Sequence, residues 1–542
     1  MIKKSRSNEA VRESRRILAA STAGTLFEWY DFFLYGALAS IISEQFFSSL
    51  NEQTKYVFAL LAFGVGFAFR PLGALIFGRI GDMMGRKYTF LITLVLMGGA
   101  TFLVGLLPSY SAWGAWAPSI LIALRIVQGI GLGGEYGGAA VFVAEHAPDN
   151  KRGEHTSWIM ATGAMGMVLS LIVVYVAREI SGSAFNSWGW RIPFLLSGVL
   201  LIVSLYIRSS ISESPLFIKM KEEGKTSRAP VREAFGQWKN LKVALIALFG
   251  LITGTTVVIY TGQVYSFFFL THALQLDTGV AGLYVAIALV CSMPFFWLCG
   301  KLSDRIGRRP VILTGCLLAA LTYFPIFHGL THFANPALEA AIEHEPVKVS
   351  ADPVSCSFQF DLLGTRKYTA GCDTAKALLS RTGVPYTFVA TPGAPSTVTV
   401  GSTQFNASDS TGISNGLTAA GYPKKADPAR VNGVMIVVLV WLMSLYLAMS
   451  FAPLAALLVE MFPPKIRFTA LSVPYHLGNG IFGGFFPTIA FAIVTQTGDM
   501  YAGLWYSVAF ALVTVVIGGL FLRSRVISGP DASTVRGAVH SQ

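Results

Sequence analysis

Between Ile17 and Leu522 the chain is a succession of apolar stretches, each about 20 residues long and set apart by short polar breaks. A helix of about 20 apolar residues spans the hydrocarbon of a bilayer. Composition agrees: 53% of the 542 residues are hydrophobic and only 13% charged, against about 25% charged in an average soluble domain. Mean hydropathy is +0.57. These figures exclude a soluble enzyme, a disordered scaffold and a secreted disulfide framework. The expected class is an all-α polytopic membrane protein.

Twelve spans are expected, at 17–43, 56–78, 88–108, 117–143, 156–178, 191–208, 241–271, 278–299, 311–333, 432–459, 470–495 and 500–522. An even number returns both termini to one side. Of the 41 Lys and Arg, 28 fall in the N-terminal segment, the C-terminal tail and the five short breaks after even-numbered spans. Such asymmetry marks the cytoplasmic side. The net charge of +12 therefore reports orientation; a nucleic-acid partner would need a basic patch on one soluble face. The basic N-terminal segment precedes an apolar run too long for a cleavable signal.

Internal repetition divides the chain further. GRIGDMMGRK at 78–87 returns as GKLSDRIGRR at 300–309, aligning Gly78, Asp82, Gly85 and Arg86 with Gly300, Asp304, Gly307 and Arg308 at an offset of 222. Glu145-x-x-Pro148-x-x-x-Arg152 returns as Glu460-x-x-Pro463-x-x-x-Arg467 at an offset of 315. The offsets differ by 93 residues, which only 334–430 can hold. The expected division is a cytoplasmic segment 1–16, a six-helix half 17–208, a cytoplasmic linker 209–240, three helices in 241–333, a periplasmic insertion 334–430, three more helices in 431–522 and a cytoplasmic tail 523–542.

With these motifs the chain resembles a major facilitator superfamily transporter. GTLFEWYDFFLYG (24–36), FRPLGALIFGRIGD (69–82), RIVQGIGLGGEYGG (125–138) and ESPLF (213–217) narrow the likeness to the metabolite:proton symporter family, which includes α-ketoglutarate, shikimate, citrate and proline/betaine permeases. The likeness covers nearly all the chain except 334–430 and both tails. It implies two six-helix halves rocking about a central site, a bacterial inner-membrane location, a monomeric functional unit and no enzymatic activity. It also implies that the repeated loop motif braces the outward-facing state.

The deep charges point the same way. Glu28, Asp31, Arg70, Arg125 and Glu135 lie inside the first half's spans, where a charge costs at least about 2.5–3.5 kcal/mol. Glu28 is eleven residues into its span, roughly 16 Å along a helix, and Asp31 follows three residues on. Arg70 is roughly 21 Å along the returning span and is expected to meet that face. Three acids against two bases leave one negative charge over. Desolvation favours the protonated form of a carboxylate short of a partner, which is what proton coupling needs. Glu28, Asp31 and Glu135 are thus the candidate proton carriers. Arg70 and Arg125 are the candidate substrate anchors, because guanidinium groups bind carboxylates through paired hydrogen bonds.

The second half offers Tyr260, Gln263, Tyr265, Tyr475, His476 and Asn479 to orient a small polar solute. Asp82, Arg86, Asp304 and Arg308, with Glu145, Arg152, Glu460 and Arg467, are expected to form ionic latches at the cytoplasmic face that hold one of two states. Gly129, Gly131 and Gly134 satisfy G-x-G-x-x-G, but inside an apolar helix they read as close helix packing and not a dinucleotide site. No metal-ligand spacing appears, and no cofactor is expected beyond the coupling proton. Cys356 and Cys372, the only two cysteines outside the spans, are expected to form a disulfide in an oxidising compartment. SCSFQF and PYTFVAT read as short strands and CDTAKALLSRTG as a helix, making the insertion a small α/β cap.

The expected function is proton-coupled symport of a small organic acid, with uptake of a zwitterionic osmolyte as the alternative. A membrane sensor with an external ligand-binding domain is the alternative of a different class.

Overall fold

The computed structural model describes residues 22, 24–49, 58, 62, 64–209, 213–357 and 370–522. Ten helices among them are long and apolar enough to cross a membrane: Arg86–Leu106, Trp116–His146, Arg152–Gly189, Arg191–Ser209, Trp238–Ala273, Thr278–Ile306, Arg308–Ala334, Gly433–Met461, Arg467–Thr497 and Leu504–Phe521. The first two expected spans are described as helical at 24–37, at Ala39–Phe46, at 64–68 and at Arg70–Met84. Their remaining residues, the expected segment 1–16 and the tail 523–542 lie outside the described residues.

The repeated motif makes the same local structure twice. Gly85 joins Arg70–Met84 to Arg86–Leu106, and Gly307 joins Thr278–Ile306 to Arg308–Ala334, with φ of +130° and +97°. Only glycine takes that backbone region cheaply. Glycine also sets how closely helices approach: a Cβ on Gly129 or Gly133 would collide with the carbonyl of Gly66 or Arg70. The G-x-G-x-x-G string is therefore a packing seam between the second and fourth helical segments.

Three of these helices contain π turns, one of them Arg152–Gly189, which ends in Phe185–Gly189. Trp238–Ala273 contains π turns at Leu248–Ile252, Thr261–Tyr265 and Phe269–Ala273, and Arg467–Thr497 contains one at Gly478–Gly484. The two halves meet where Arg467–Thr497 packs on Arg70–Met84 and Trp116–His146, and where Thr278–Ile306 packs on Arg152–Ser181. A buried cluster built around Tyr30, Tyr35, Phe46, Trp190 and Phe194 fills the first half.

Residues 347–406 carry a four-stranded sheet, ordered β2-β1-β3-β4, from β1 (Val347–Ala351), β2 (Tyr386–Ala390), β3 (Thr397–Val400) and β4 (Thr403–Asn406). Central β1 pairs parallel with β2 and antiparallel with β3, so Val349 faces both Phe388 and Val398 in register. Cys356 and Cys372 are disulfide-bonded. The helix expected over CDTAKALLSRTG is Gly371–Arg381, and PYTFVAT supplies β2. SCSFQF supplies no strand in its described part: Pro353–Ser355 is a 3-10 turn, where proline lacks a donor for a ladder, and residues from 358 lie outside the described residues. Backbone hydrogen bonds stitch this unit to the second half, from Tyr386 N to Gly498 O (2.9 Å) and from Ala426 N to Gln275 O (3.1 Å).

Candidate functional site

A small cavity of about 40 Å³ lies between the halves, walled by Glu28, Trp29, Arg70, Glu135 and Tyr136 from the first half and by Tyr475 and His476 from the second. Its floor is a ring pair across the interface: Tyr136 and Tyr475 stack at 3.5 Å between centroids, 7° from parallel. His476 meets Tyr475 edge-on at 5.1 Å and lies beside the Gly133 backbone of the first half.

Arg70 is buried against two rings, 4.7 Å from the Phe32 centroid and 4.0 Å from that of Phe67. Cation–π contact of this kind holds a guanidinium without neutralising it. Its Nε and Nη2 make no hydrogen bond among the described residues. No carboxylate among the described residues lies within ion-pair distance of it.

This corrects the expected pairing of Arg70 with an acid of the first helix. Glu28 pairs instead with Arg208, at 2.5 Å from Nη2, and Glu135 lies 3.6 Å from Nη1 of the same guanidinium. Arg208 ends the Arg191–Ser209 helix and is fully buried over the Phe90 ring at 3.7 Å. The expected surplus of one negative charge is corrected with it. Glu28, Asp31 and Glu135 stand against Arg70, Arg125 and Arg208, and the count closes at zero among the described residues.

Asp31 and Arg125 are buried but do not wall the cavity. At three residues from Glu28, Asp31 is turned about 60° around the helix and lies beside Ser197. Arg125 sits over the Tyr35 ring at 4.1 Å and donates to Gln128, which donates to Thr101. It is thus braced within the first half and not aimed at the cavity, contrary to the substrate role expected for it.

Of the second-half residues, Tyr475 and His476 line the cavity. Tyr260 is within electrostatic reach of Arg70. Asn479 lies in the π turn next to them and accepts from Thr256 at 3.4 Å. Gln263 is half-buried in the Thr261–Tyr265 π turn and does not wall the cavity. Tyr265 is also apart from it: it lines a separate, largely apolar cavity of about 330 Å³ with Phe269, Phe491 and Tyr386, beside the sheet unit.

The repeated motifs form two latches related by the internal symmetry. Asp82 accepts from the backbone N–H of Phe468 (3.2 Å) and Thr469 (2.9 Å), the first turn of Arg467–Leu477 in the other half. Asp304 accepts from Gly153 (2.9 Å) and Glu154 (2.8 Å), the first turn of Arg152–Ser181. Each carboxylate thus caps a helix of the opposite half, where unpaired N–H groups and the helix dipole favour an anion. Arg86 lies 3.5 Å from Asp82 and 3.8 Å from Glu145, while Arg308 reaches Asp304 at 2.9 Å and Glu460 at 3.0 Å. Glu145 also crosses to Arg467 at 2.9 Å. Arg152 donates to Ala144 O at 3.2 Å and stands near Glu460.

The ESPLF string completes the first latch in a way that spacing did not reveal. Glu213 accepts from the backbone N–H of Arg86 (3.2 Å) and Lys87 (3.1 Å), capping Arg86–Leu106, and Ser214 donates to Glu145.

The sequence and the fold both match known proteins. The family model for sugar (and other) transporters covers residues 17–242. The chain is 37% identical over 331 residues to the shikimate transporter of Escherichia coli (strain K12), covering 59% of this chain and 74% of that one. The chain belongs to the major facilitator superfamily.

It is also 37% identical over 325 residues to the proline/betaine transporter of Escherichia coli (strain K12), 58% of this chain, and spans 64% of that protein's length. Among solved structures, the superfamily's proton:xylose symporter bound to 6-bromo-6-deoxy-D-glucose matches with a TM-score of 0.64 at 16% identity, over 95% of this chain and 97% of that one. That likeness fixes the fold. The relatives named above are transporters by their names, and ten helices among the described residues are long and apolar enough to cross a membrane.

Proposed function

We propose that the chain is a secondary active transporter that carries a small organic acid together with a proton across the bacterial inner membrane. The observation that carries this reading is Arg70: a buried cation at the wall of the inter-half cavity, with no carboxylate partner among the described residues. With the deep charges closing at zero, an incoming monoanion at Arg70 leaves one charge uncompensated. A lone charge at that depth costs at least about 2.5–3.5 kcal/mol. A proton on Glu28 or Glu135 removes that cost, so anion and proton bind together more favourably than either alone.

In this reading twelve spans place both termini in the cytoplasm and the sheet unit in the periplasm. With both latches engaged, the structure is the state closed towards the cytoplasm. A 40 Å³ cavity holds a few waters at most, so substrate enters as the opposite side opens.

A second reading has its own observation. Trp29, Tyr136 and Tyr475 offer the aromatic faces that hold quaternary or secondary ammonium groups, with glutamates beside them. This suits a zwitterion such as the substrates named for the proline/betaine relative.

The test is uptake by proteoliposomes of labelled shikimate, α-ketoglutarate, proline and glycine betaine under an imposed pH gradient. Accumulation of an acid that collapses with a protonophore supports the main reading, and accumulation of only the zwitterions supports the second. Flux of any of them that ignores the gradient refutes proton coupling. Arg70→Gln is expected to abolish acid uptake, and Arg70→Lys to weaken it, because an ammonium lacks the planar paired donors.

A further inference from the structure

Arg208 is in an unusual place for the residue it is. A long cationic side chain at the end of a membrane span ordinarily extends outward to the headgroups. Arg208, in the last turn of Arg191–Ser209, turns inward. Gly24 makes room for it: a Cβ there would overlap the guanidinium. At its destination it lies 2.5 Å from Glu28 Oε1 and 3.6 Å from Glu135 Oε1, on the Phe90 ring. All three side chains are buried, and beyond the contacts they make with one another their oxygens and guanidinium nitrogens have no hydrogen-bond partner among the described residues. A structural ion pair at this depth is stable only when such groups are satisfied.

Two carboxylates sharing one cation carry a net charge of −1, and one proton brings the set to zero. We infer that Glu28, Arg208 and Glu135 form a single proton-holding unit with room for one proton, in which Arg208 is the positioning residue. It keeps one carboxylate ionised while an oxygen of the other gains the transported proton from water. On release that proton returns to water and both carboxylates again share Arg208. Neighbouring ionisable groups are Asp31 on the first helix, Arg70 on the second, Tyr136 on the fourth, and Tyr475 and His476 from the second half. The inference rests on the proton-symport reading and adds that the two glutamates do not titrate independently.

Infrared titration of the full chain in liposomes tests it without a substrate. The protonated-carboxyl signal of the wild type is expected to contain one titrating group from this pair, lost equally in Glu28→Gln and Glu135→Gln. In Arg208→Gln two desolvated carboxylates lose their cation, and the protonated signal is expected to rise about twofold, because burial without a counter-ion favours the neutral form of each. Arg208→Lys is expected to restore the single titration. Two independent carboxyl signals in the wild type, or an unchanged signal in Arg208→Gln, overturn the inference. If Arg208→Gln does not fold, the wild type and the two glutamine variants decide alone. The uptake assay reports separately: a shared signal with gradient-independent uptake leaves the unit standing and removes the symport reading.

Discussion

Replacing Asp82 with Asn should open the face of the protein that the latches now close. Asp82 accepts two backbone N–H groups from the first turn of Arg467–Leu477 and lies 3.5 Å from Arg86. Hydrogen bonds to a charged group contribute about 1.5–3 kcal/mol each, neutral ones about 0.5–1.5. An Asn has one acceptor oxygen, so one charged bond is lost and the other becomes neutral; the favourable interaction with the helix dipole, about 0.3–1 kcal/mol, goes as well. Against this, a buried carboxylate no longer has to be desolvated. The net weakening of the latched state is about 1–3 kcal/mol, a shift of about 5–150-fold in the equilibrium between the two states. Spin labels on Lys151 and Arg305, exposed on opposite halves beside the second latch, would report it as a new population of longer distances. Asp304→Asn should act in the same direction, and because the latches share no side chain the two effects should add. A folded Asp82→Asn protein whose label distances match the wild type would refute the reasoning: the cap would then be local decoration, not a brace between halves.

Three further outcomes are expected. Changing both Cys356 and Cys372 to Ser should lower the stability of the sheet unit by about 2–4 kcal/mol, read as earlier loss of strand signal on heating, with deep-site chemistry unaffected. Gly133→Ala should destabilise the whole first half by about 1–3 kcal/mol through overpacking, since the added Cβ meets the Arg70 carbonyl; an unchanged melting temperature would contradict the packing account of that glycine string. Glu233 is held below its ordinary value by its bond to Lys465 (2.6 Å) and by the Ser227 hydroxyl. Its contribution is therefore complete above the unfolded carboxylate value, near pH 4.3, and lost as pH falls through the lower folded one. Lys465→Gln should move its titration, followed by carbon NMR, back up towards the ordinary range.

How far residues could be placed from sequence depended on what each location demands. The latch residues were legible because the offsets of 222 and 315 repeat them, and a repeated carboxylate in a short polar break has few other roles. That each would cap a helix of the opposite half was not, since the partner is backbone and leaves no trace in composition. Arg208 was hidden for a different reason: beside a basic break it looks like any cation that sets orientation, and only a small residue one turn before Glu28, Gly24, hints at the space it fills. Tyr260, Gln263 and Tyr265 failed as a set because the Thr261–Tyr265 π turn lies among them. One inserted residue turns the following side chains by about 100°, so Tyr265 leaves the face that a regular helix would give it. The beginnings of the sheet were missed where VKVSA and TVTVGSTQFN are too short and polar to stand out from loops.

The uneven placement of charge between the halves follows from the proposed alternation. Among the described residues all six deep ions belong to the first half, whereas the second presents Tyr475 and His476 to the same cavity. If a deep ion pair bridged the halves, rocking would separate it in one of the two states and leave each member uncompensated, at a cost of at least about 2.5–3.5 kcal/mol apiece. Pairs inside one rigid half stay intact throughout. At the rim that carries the latches the demand reverses. There Arg467 and Glu145 pair across the interface at 2.9 Å, and once parted each meets water, whose solvation compensates the lost partner. Cross-half ions at the rim and same-half ions at depth are what a two-state carrier requires. A deep cation moved from Arg208 to a facing position on Arg467–Thr497 should therefore trap one state even with the charge count unchanged.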